Sequence, residues 1–169
     1  MPAEPEEIKL EPGLKHWTCW HEAARAVAVI LVGGEIQSIT FDRGVTWTVP
    51  NYAKARPICG AGSVIDRAER HVFPDSESKL ARREHFHQQE LAYALARENK
   101  ELGLPPPTDE EVLTEFDRGV FEAEQLLGEA NHAAAVLVLR DVLEEKFQKG
   151  TERVIHAEVR APLRKLIRE

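Results

Sequence analysis

The residues of this chain with the strongest chemical potential lie in the segment Trp20–Arg25, which reads WHEAAR. In the zinc-peptidase motif H-E-x-x-H, two imidazoles one helical turn apart bind one metal ion, and the glutamate between them acts as general base on the metal-bound water. His21 and Glu22 match the first two positions of that motif, but Arg25 stands at the position of the second histidine. A lone His-Glu pair on a helix is more often structural than catalytic, so the surrounding sequence decides its meaning.

Two elements must position this segment, a helix and a strand hairpin. The apolar, alanine-rich stretch from about 17 to 32 ends at Gly33-Gly34, which predicts a mostly buried helix. The alternation within Glu35–Phe41 predicts a strand, and Gly44 then turns the chain into a second short strand that reads VTWTV. The two strands together predict a β-hairpin directly after the helix.

The remainder of the chain predicts helices. Thr108 and Glu111 form a capping box, which places the start of one helix at Asp109. Pro162 must lie in the first turn of the last helix or make a kink there. Helical periodicity is found over about 57–73, 79–99, 109–127 and 131–148, and again in the C-terminal tail.

The predicted fold class is therefore α+β, mostly helical, with one small β-hairpin. Residues 1–13 contain three prolines and four glutamates and predict a flexible acidic lead-in, because such a segment has little apolar surface to bury. Residues 14–169 have the length of one domain with its own hydrophobic core. The predicted organisation is thus a lead-in followed by a single domain.

The composition restricts the classes of partner. A net charge of −7 argues against nucleic acid and against an anionic membrane surface, both of which attract basic proteins. The longest apolar runs, Ala26–Val32 and Ala133–Leu139, have seven residues each, far below the roughly 20 that span a bilayer. Cys19 and Cys59 form no disulfide framework. No catalytic His or Asp lies near Cys59 in sequence, and Cys19 would point away from His21 on a helix. We therefore expect a reduced, cytoplasmic protein without a membrane span.

Beyond the motif itself, several segments follow one another in a recognisable order. HEAARA is followed by SITF with the turn Asp42-Arg43-Gly44, and then by the short strand Thr46-Trp47-Thr48. CGAGSVIDRAERHVF and SESKLARR come next. Over about residues 16–97 this series resembles the peptidase domain of FtsH-type zinc metallopeptidases, in which H-E-A-G-H-A precedes a P-R-G-like turn and a G-Y-T-like strand. The resemblance implies a zincin-like fold with a helical C-terminal part.

The same resemblance implies that zinc has been lost. It places the three zinc ligands of the family at His21, at Arg25 and at Lys79, where the family has an aspartate. Neither a guanidinium nor a protonated amine offers a lone pair to a metal. We therefore expect no cofactor and a vestigial general base in Glu22, with Arg25 and Lys79 replacing the zinc as its counter-charges. No GxxxxGK[ST] loop of the family's ATP-driven motor is found either.

Two functions remain open at this point. The first is a metallopeptidase-like domain without catalysis that acts as a binding or regulatory module for a peptide or protein partner. The second is an active zinc-dependent metallopeptidase with rewired ligands, in which His21 is joined by Asp75 or Glu77 and by His85. His71 and His87 lie in the same region, but His85 and His87 are two residues apart and do not share a helix face.

The three tryptophans suggest where a peptide would bind. Trp17, Trp20 and Trp47 are placed to line a groove between the first helix and the hairpin. In the family that the sequence resembles, the corresponding strand edge is where an extended peptide would add on. The sequence therefore predicts a peptide groove beside the hairpin.

Overall fold

The computed structural model describes residues 12–69 and 76–168, with side chains at 16–69 and 80–168. These residues are mostly helical, with one two-stranded antiparallel sheet, which confirms the predicted secondary-structure class. The elements are α1 (Pro12–Leu31), β1 (Glu35–Thr40), β2 (Gly44–Thr48), a short 3-10 helix (Tyr52–Lys54), α2 (Ala55–Glu69), α3 (Ser76–Glu101), α4 (Asp109–Leu127), α5 (Ala130–Gln148) and α6 (His156–Leu163).

The ends of the helices agree with the sequence signals in some places and depart from them in others. Helix α4 begins at Asp109 as predicted, because Thr108 accepts the Glu111 N–H through its hydroxyl and donates its own N–H to the Glu111 carboxylate. Helix α1 begins at Pro12, about five residues earlier than predicted, since proline needs no amide partner at a first helical position. Residues 1–11 of the expected lead-in lie outside the described residues.

Pro162 does not lie in the first turn of α6, which was one of the two predicted places. It is the seventh of the eight residues, one before the helix ends at Leu163. A proline ring has no N–H to donate and clashes with the carbonyl one turn before it. Pro162 therefore cannot donate the hydrogen bond that the Glu158 carbonyl would accept within a helix, and the helix ends one residue later.

Helix α1 is the central element of the hydrophobic core. It packs against α2 and α5 and also contacts both strands. The residues of its C-terminal half are almost completely buried, namely Ala26, Val27, Ala28, Val29 and Ile30. A second group of buried apolar residues, which includes Leu91 and Phe116, lies where α3 and α4 pack against α2.

The two edges of the hairpin differ. The outer edge of β1 is covered, because Ile39 and Val154 exchange both of their backbone hydrogen bonds at 2.8 and 2.9 Å. The outer edge of β2 has no strand partner among residues 12–69 and 76–168. None of the described helices combines the length and the hydropathy that crossing a membrane requires.

Candidate functional site

The two imidazoles of His21 and His87 meet in the interior, between α1, α2 and α3. Their Nε2 atoms are 2.9 Å apart, and only 2% and 4% of the two residues is exposed. On its other side His21 contacts Asp66, with 2.8 Å between Nδ1 and Oδ2. Because an ionised carboxylate only accepts hydrogen bonds, His21 donates from Nδ1 to Asp66, and the two Nε2 atoms share one proton between them.

The carboxylate of Asp66 is completely buried, and a second group compensates its charge. Arg83 of α3 approaches the other oxygen of Asp66 at 3.3 Å and donates to the hydroxyl of Thr18 at 3.0 Å. The guanidinium of Arg83 also lies over the ring of Trp17, 4.6 Å from its centroid. A buried carboxylate needs such a cationic partner. The Asp66 carboxylate in turn fixes the orientation of the His21 ring through its hydrogen bond with Nδ1.

Glu22 is bound from two sides. Its Oε2 accepts the backbone N–H of Val45 at 2.9 Å and lies 3.5 Å from a guanidinium nitrogen of Arg25. Burial by itself raises the pKa of the Glu22 carboxyl, but His21, Arg25 and the Val45 N–H outweigh burial and lower it. Gly44 has a positive φ of 69°, and a Cβ there would lie 2.5 Å from the Glu22 carboxylate. Glycine at this turn therefore makes room for the charged group.

The guanidinium of Arg25 is almost fully buried, with 1% of its side chain exposed. It donates to Glu90 of α3 at 2.5 Å. Burial opposes the charge of Arg25, but Glu90 and Glu22 more than compensate and its pKa is raised. Burial likewise raises the pKa of Glu90, yet Arg25 and His87 lower it to about 2. Both groups therefore remain charged as an ion pair across α1 and α3.

The second ring nitrogen of His87, Nδ1, lies next to a carboxylate. This nitrogen makes no hydrogen bond within the described part of the chain and lies 3.4 Å from Oε1 of Glu90. Burial and the charge of Arg25 lower the pKa of His87 to about 4, so the imidazole is neutral near pH 7. The Nδ1 atom of this neutral ring therefore lies beside a carboxylate oxygen.

The His21 ring fits its place because of a glycine on α2. A Cβ at Gly62 would lie 2.2 Å from Cε1 of His21 and 2.4 Å from its Nε2, which is far inside van der Waals contact. The lack of a side chain at Gly62, within the segment CGAGS, therefore leaves the space that the imidazole occupies. Nearby, burial and Glu90 raise the pKa of the Cys59 thiol, which makes it a poor nucleophile.

The residues expected to form the site have different locations. His21, Glu22 and Arg25 lie together, and Arg25 is a counter-charge of Glu22 as expected. Lys79 is in the first turn of α3, about 12 Å along the axis before His87, and its side chain lies outside the described ones. The structure also leaves Asp75 and the side chain of Glu77 undescribed. His85 is exposed and contacts Gln89 at 3.2 Å instead of His21.

Three residues of this centre were not singled out by sequence reasoning. They are Asp66, Glu90 and His87, the last of which was noted only as a neighbour of His85. Their helical spacing contained a signal, since His87 lies four and seven residues before the buried Leu91 and Ala94. The same spacing puts Glu90 one turn after His87 and next to that buried face.

A groove of about 470 Å³ runs between β2 and α3. Phe86 and Tyr93 on α3 are 56% and 64% exposed at its rim, opposite Trp47 of β2. Of the three tryptophans that were predicted to line a groove, Trp47 alone does so. Trp17 is buried in the core, and Trp20 stacks with Arg140 at 5.1 Å. The groove is lined by Gln37, Arg43, Val45, Thr46, Trp47, Thr48, Val49, Tyr52, Phe86, Glu90, Tyr93 and Ala94.

The outer edge of β2 faces this groove, and no strand of the described residues pairs with it. The N–H of Val45 points away from β1, since it donates to Glu22. Backbone direction alternates along a strand, so the N–H and C=O of Trp47 point to the same outer side. Within the described segments no strand covers them. An extended chain lying in the groove would meet both groups.

Comparisons with family models, with curated proteins and with solved structures gave no match for this chain. The donor set of the centre must therefore be judged on its own chemistry. Arg25 has no lone pair to donate, and it engages both carboxylates nearest to it, Glu22 and Glu90. Among the residues that the structure describes, no group of three or more His, Cys, Asp or Glu side chains is arranged to hold a metal ion. The residues present do not fit the catalytic zinc of the family that the sequence resembles.

Proposed function

We propose that this chain is a peptidase-like domain of the FtsH type that has lost zinc and catalysis, and that it binds extended peptide segments of a partner protein along the outer edge of β2. The buried ion pair between Arg25 and Glu90 carries the first half of this proposal. The groove beside Trp47 carries the second half.

The charge of Arg25 argues against a catalytic metal. In an H-E-x-x-H site a dication would lie between His21 and the residue one turn later, within reach of Glu22. Here a guanidinium extends from that residue, and it is held in the interior by two carboxylates at 2.5 and 3.5 Å. A second cation in the same space would be repelled, and it would have to compete for both carboxylates.

The groove supports an extended peptide as the occupant. A strand added to β2 would pair with the outward N–H and C=O of Trp47, while its side chains contact the aromatic rim formed by Phe86 and Tyr93. Main-chain pairing gives affinity for extended chains in general, and pockets for alternate side chains give specificity. The rings favour an apolar or aromatic side chain opposite Trp47.

The alternative, an active zinc-dependent metallopeptidase, retains support only from the intact pair His21-Glu22. That pair is also what an inherited and non-catalytic scaffold would contain. The set of ligands considered for it included His85, which points away from the centre.

The first test is metal analysis of protein purified without chelator. We expect no stoichiometric zinc, and we expect an excess of chelator to leave the melting temperature unchanged, because a ligand that binds only the folded state would raise it. One tightly held zinc ion per chain would overturn the loss of zinc.

The second test uses peptides selected from a random decapeptide display library on the immobilised protein, and then synthesised with a fluorescent label. Addition to β2 requires backbone hydrogen bonds, so N-methylation of alternate peptide residues should abolish binding while N-methylation of the residues between them should not. Trp47→Ala and Tyr93→Ala should weaken binding at least about tenfold. Phe121→Ala is the matched control, since this ring is 62% exposed on α4, outside the groove lining. Equal tolerance of N-methylation at every position would refute strand addition.

A further inference from the structure

We infer that His21 and His87 are one half of a divalent-metal site that is already formed, and that the guanidinium of Arg25 is the single feature that keeps the site from being completed. This inference rests on the proposed loss of zinc, and it locates the cause of that loss in one side chain.

The two imidazoles are arranged as ligands. Their Nε2 atoms face each other at 2.9 Å, and one proton lies between them. Zinc–imidazole bonds are about 2.0–2.1 Å long, so two nitrogens at this separation can bind one ion with only a small movement. A metal ion would displace that proton and lie to one side of the line that joins the two nitrogens, so both buried rings would turn slightly towards it.

Each ring also has a carboxylate behind it. Histidines that bind metals almost always donate their other N–H to a carboxylate or a carbonyl, which fixes the tautomer and increases the basicity of the ligand. His21 donates from Nδ1 to Asp66 at 2.8 Å. The Nδ1 of His87 has no hydrogen bond but lies 3.4 Å from Glu90. If a metal bound at Nε2 of His87, the proton of the neutral ring would lie on Nδ1, where it would face Glu90.

Arg25 interferes with this arrangement in two ways. It extends from the position one helical turn after His21, where the third ligand of a complete site would stand. Its charge also draws Glu90 away from His87, with 2.5 Å to the guanidinium against 3.4 Å to the imidazole. An imidazole at residue 25 would supply a donor in place of a cation and would release Glu90.

The chemistry of the ligands defines the class of ion. Two or three imidazoles with neighbouring carboxylates suit Zn²⁺, Co²⁺, Ni²⁺ or Cu²⁺, whereas Mg²⁺ and Ca²⁺ prefer oxygen ligands. Co²⁺ is the informative probe, because its visible absorption reports the coordination geometry in a protein that has no other chromophore in that range.

The test is a titration with Zn²⁺ by calorimetry and with Co²⁺ by absorption, using the parent chain, Arg25→His and Arg25→Gln. Arg25→Gln removes the charge without supplying an imidazole. We expect Arg25→His to bind one ion at least about 100-fold more tightly than either of the other two, because it alone adds a ligand. His87→Ala in the Arg25→His background should abolish this gain. His85→Ala is the matched control and should not.

Two further arms make every outcome decisive. If Arg25→His does not fold, Arg25→His with Glu90→Gln removes the unpaired carboxylate, and the same gain is expected. If a folded variant binds no better than Arg25→Gln, or if His87→Ala has no effect, the half-site inference is wrong while the proposed peptide binding stands. If the parent itself binds one ion tightly through His21 and His87, both the blocking role of Arg25 and the proposed loss of zinc are wrong.

Discussion

The buried side chains in the two halves of α1 are stabilised in different ways. From Ala26 to Ile30 every residue is apolar and at most 8% exposed, and burial itself is the stabilising contribution. In the preceding half, His21 and Arg25 are 2% and 1% exposed, and each depends on specific partners on other helices. In the apolar half, the loss of one side chain should therefore cost stability in proportion to the size of that side chain. In the polar half, the loss of one group leaves its buried partners unpaired, so these side chains are stable only together.

The largest effect is expected from Arg25→Ala. This change leaves Glu22 and Glu90 buried beside each other without their cation, and it should lower the free energy of unfolding by roughly 2–4 kcal/mol. Urea denaturation at pH 7, followed by circular dichroism, measures it. The triple variant that also contains Glu22→Gln and Glu90→Gln should recover much of the loss. Arg118→Ala, at a side chain that is 63% exposed, is the control. A loss no larger than that of the control would contradict the counter-charge role.

The second largest expected effect is the dependence of stability on pH, which should come from the polar half of α1 and its partners on α3. His87 has a pKa of about 4 in the folded chain against an ordinary 6.5, because burial and Arg25 disfavour its charged form. Between these pH values the unfolded state binds more protons, so the free energy of unfolding should fall by about 2–3 kcal/mol as pH falls from 6.5 to 4. The stabilisation from Glu90, whose pKa is about 2 instead of 4.5, is lost in turn as pH falls below 4.5 towards 2.

His87→Gln tests the assignment of this slope. Without the imidazole, urea midpoints measured between pH 7 and 4 should change less than those of the parent, while the exposed substitution His85→Gln should leave the slope as it is. An unchanged slope in His87→Gln would assign the acid sensitivity to other groups.

The apolar half should respond more simply. Val27→Ala removes two buried methyl groups, and its cost should be about 1–2.5 kcal/mol. Because Val27 belongs to the main cluster of buried apolar residues, the cost should be the same at pH 7 and at pH 5. A cost that varies with pH would show that the two halves of α1 are coupled.

The smallest effect concerns the two buried thiols. Burial raises the pKa of Cys59, and both Cys19 and Cys59 are shielded from solvent, so iodoacetamide at pH 7.5 should label neither in the folded chain and both in urea. In Arg25→Gln we expect Cys59, which lies near Glu90, to be labelled faster than Cys19. Peptide mass spectrometry distinguishes the two sites. Equal rates would indicate global opening and not local opening of the polar centre.

Local signals in the sequence were sufficient for much of the fold. The glycine after α1, the alternation in β1 and the capping box at Thr108 each act within a few neighbouring residues, and each was placed correctly. The position of Pro162 was not, because the end of a short helix depends on the packing of the chain that follows it.

The centre was harder to predict because its contacts are distant in sequence. The Nε2 atoms of His21 and His87 are separated by 66 positions, and the register between α1 and α3 depends on how both pack on α2. Local spacing could distinguish His87 from His85, since residues two apart on a helix face different sides. Local spacing could not show which residue of α1 His87 would contact.

The bond between Glu22 and the Val45 amide has a consequence for any chain that docks on β2. The Glu22 carboxylate already accepts the hydrogen bond of the Val45 N–H, so this donor cannot pair with a docking segment. The main backbone partners left for such a segment are the N–H and C=O of Trp47. Two backbone hydrogen bonds contribute about 1 kcal/mol each. We therefore expect short recognition sequences, dissociation constants in the micromolar range or weaker, and complexes that last on the order of milliseconds to seconds. Durable attachment would require several such segments on the same partner.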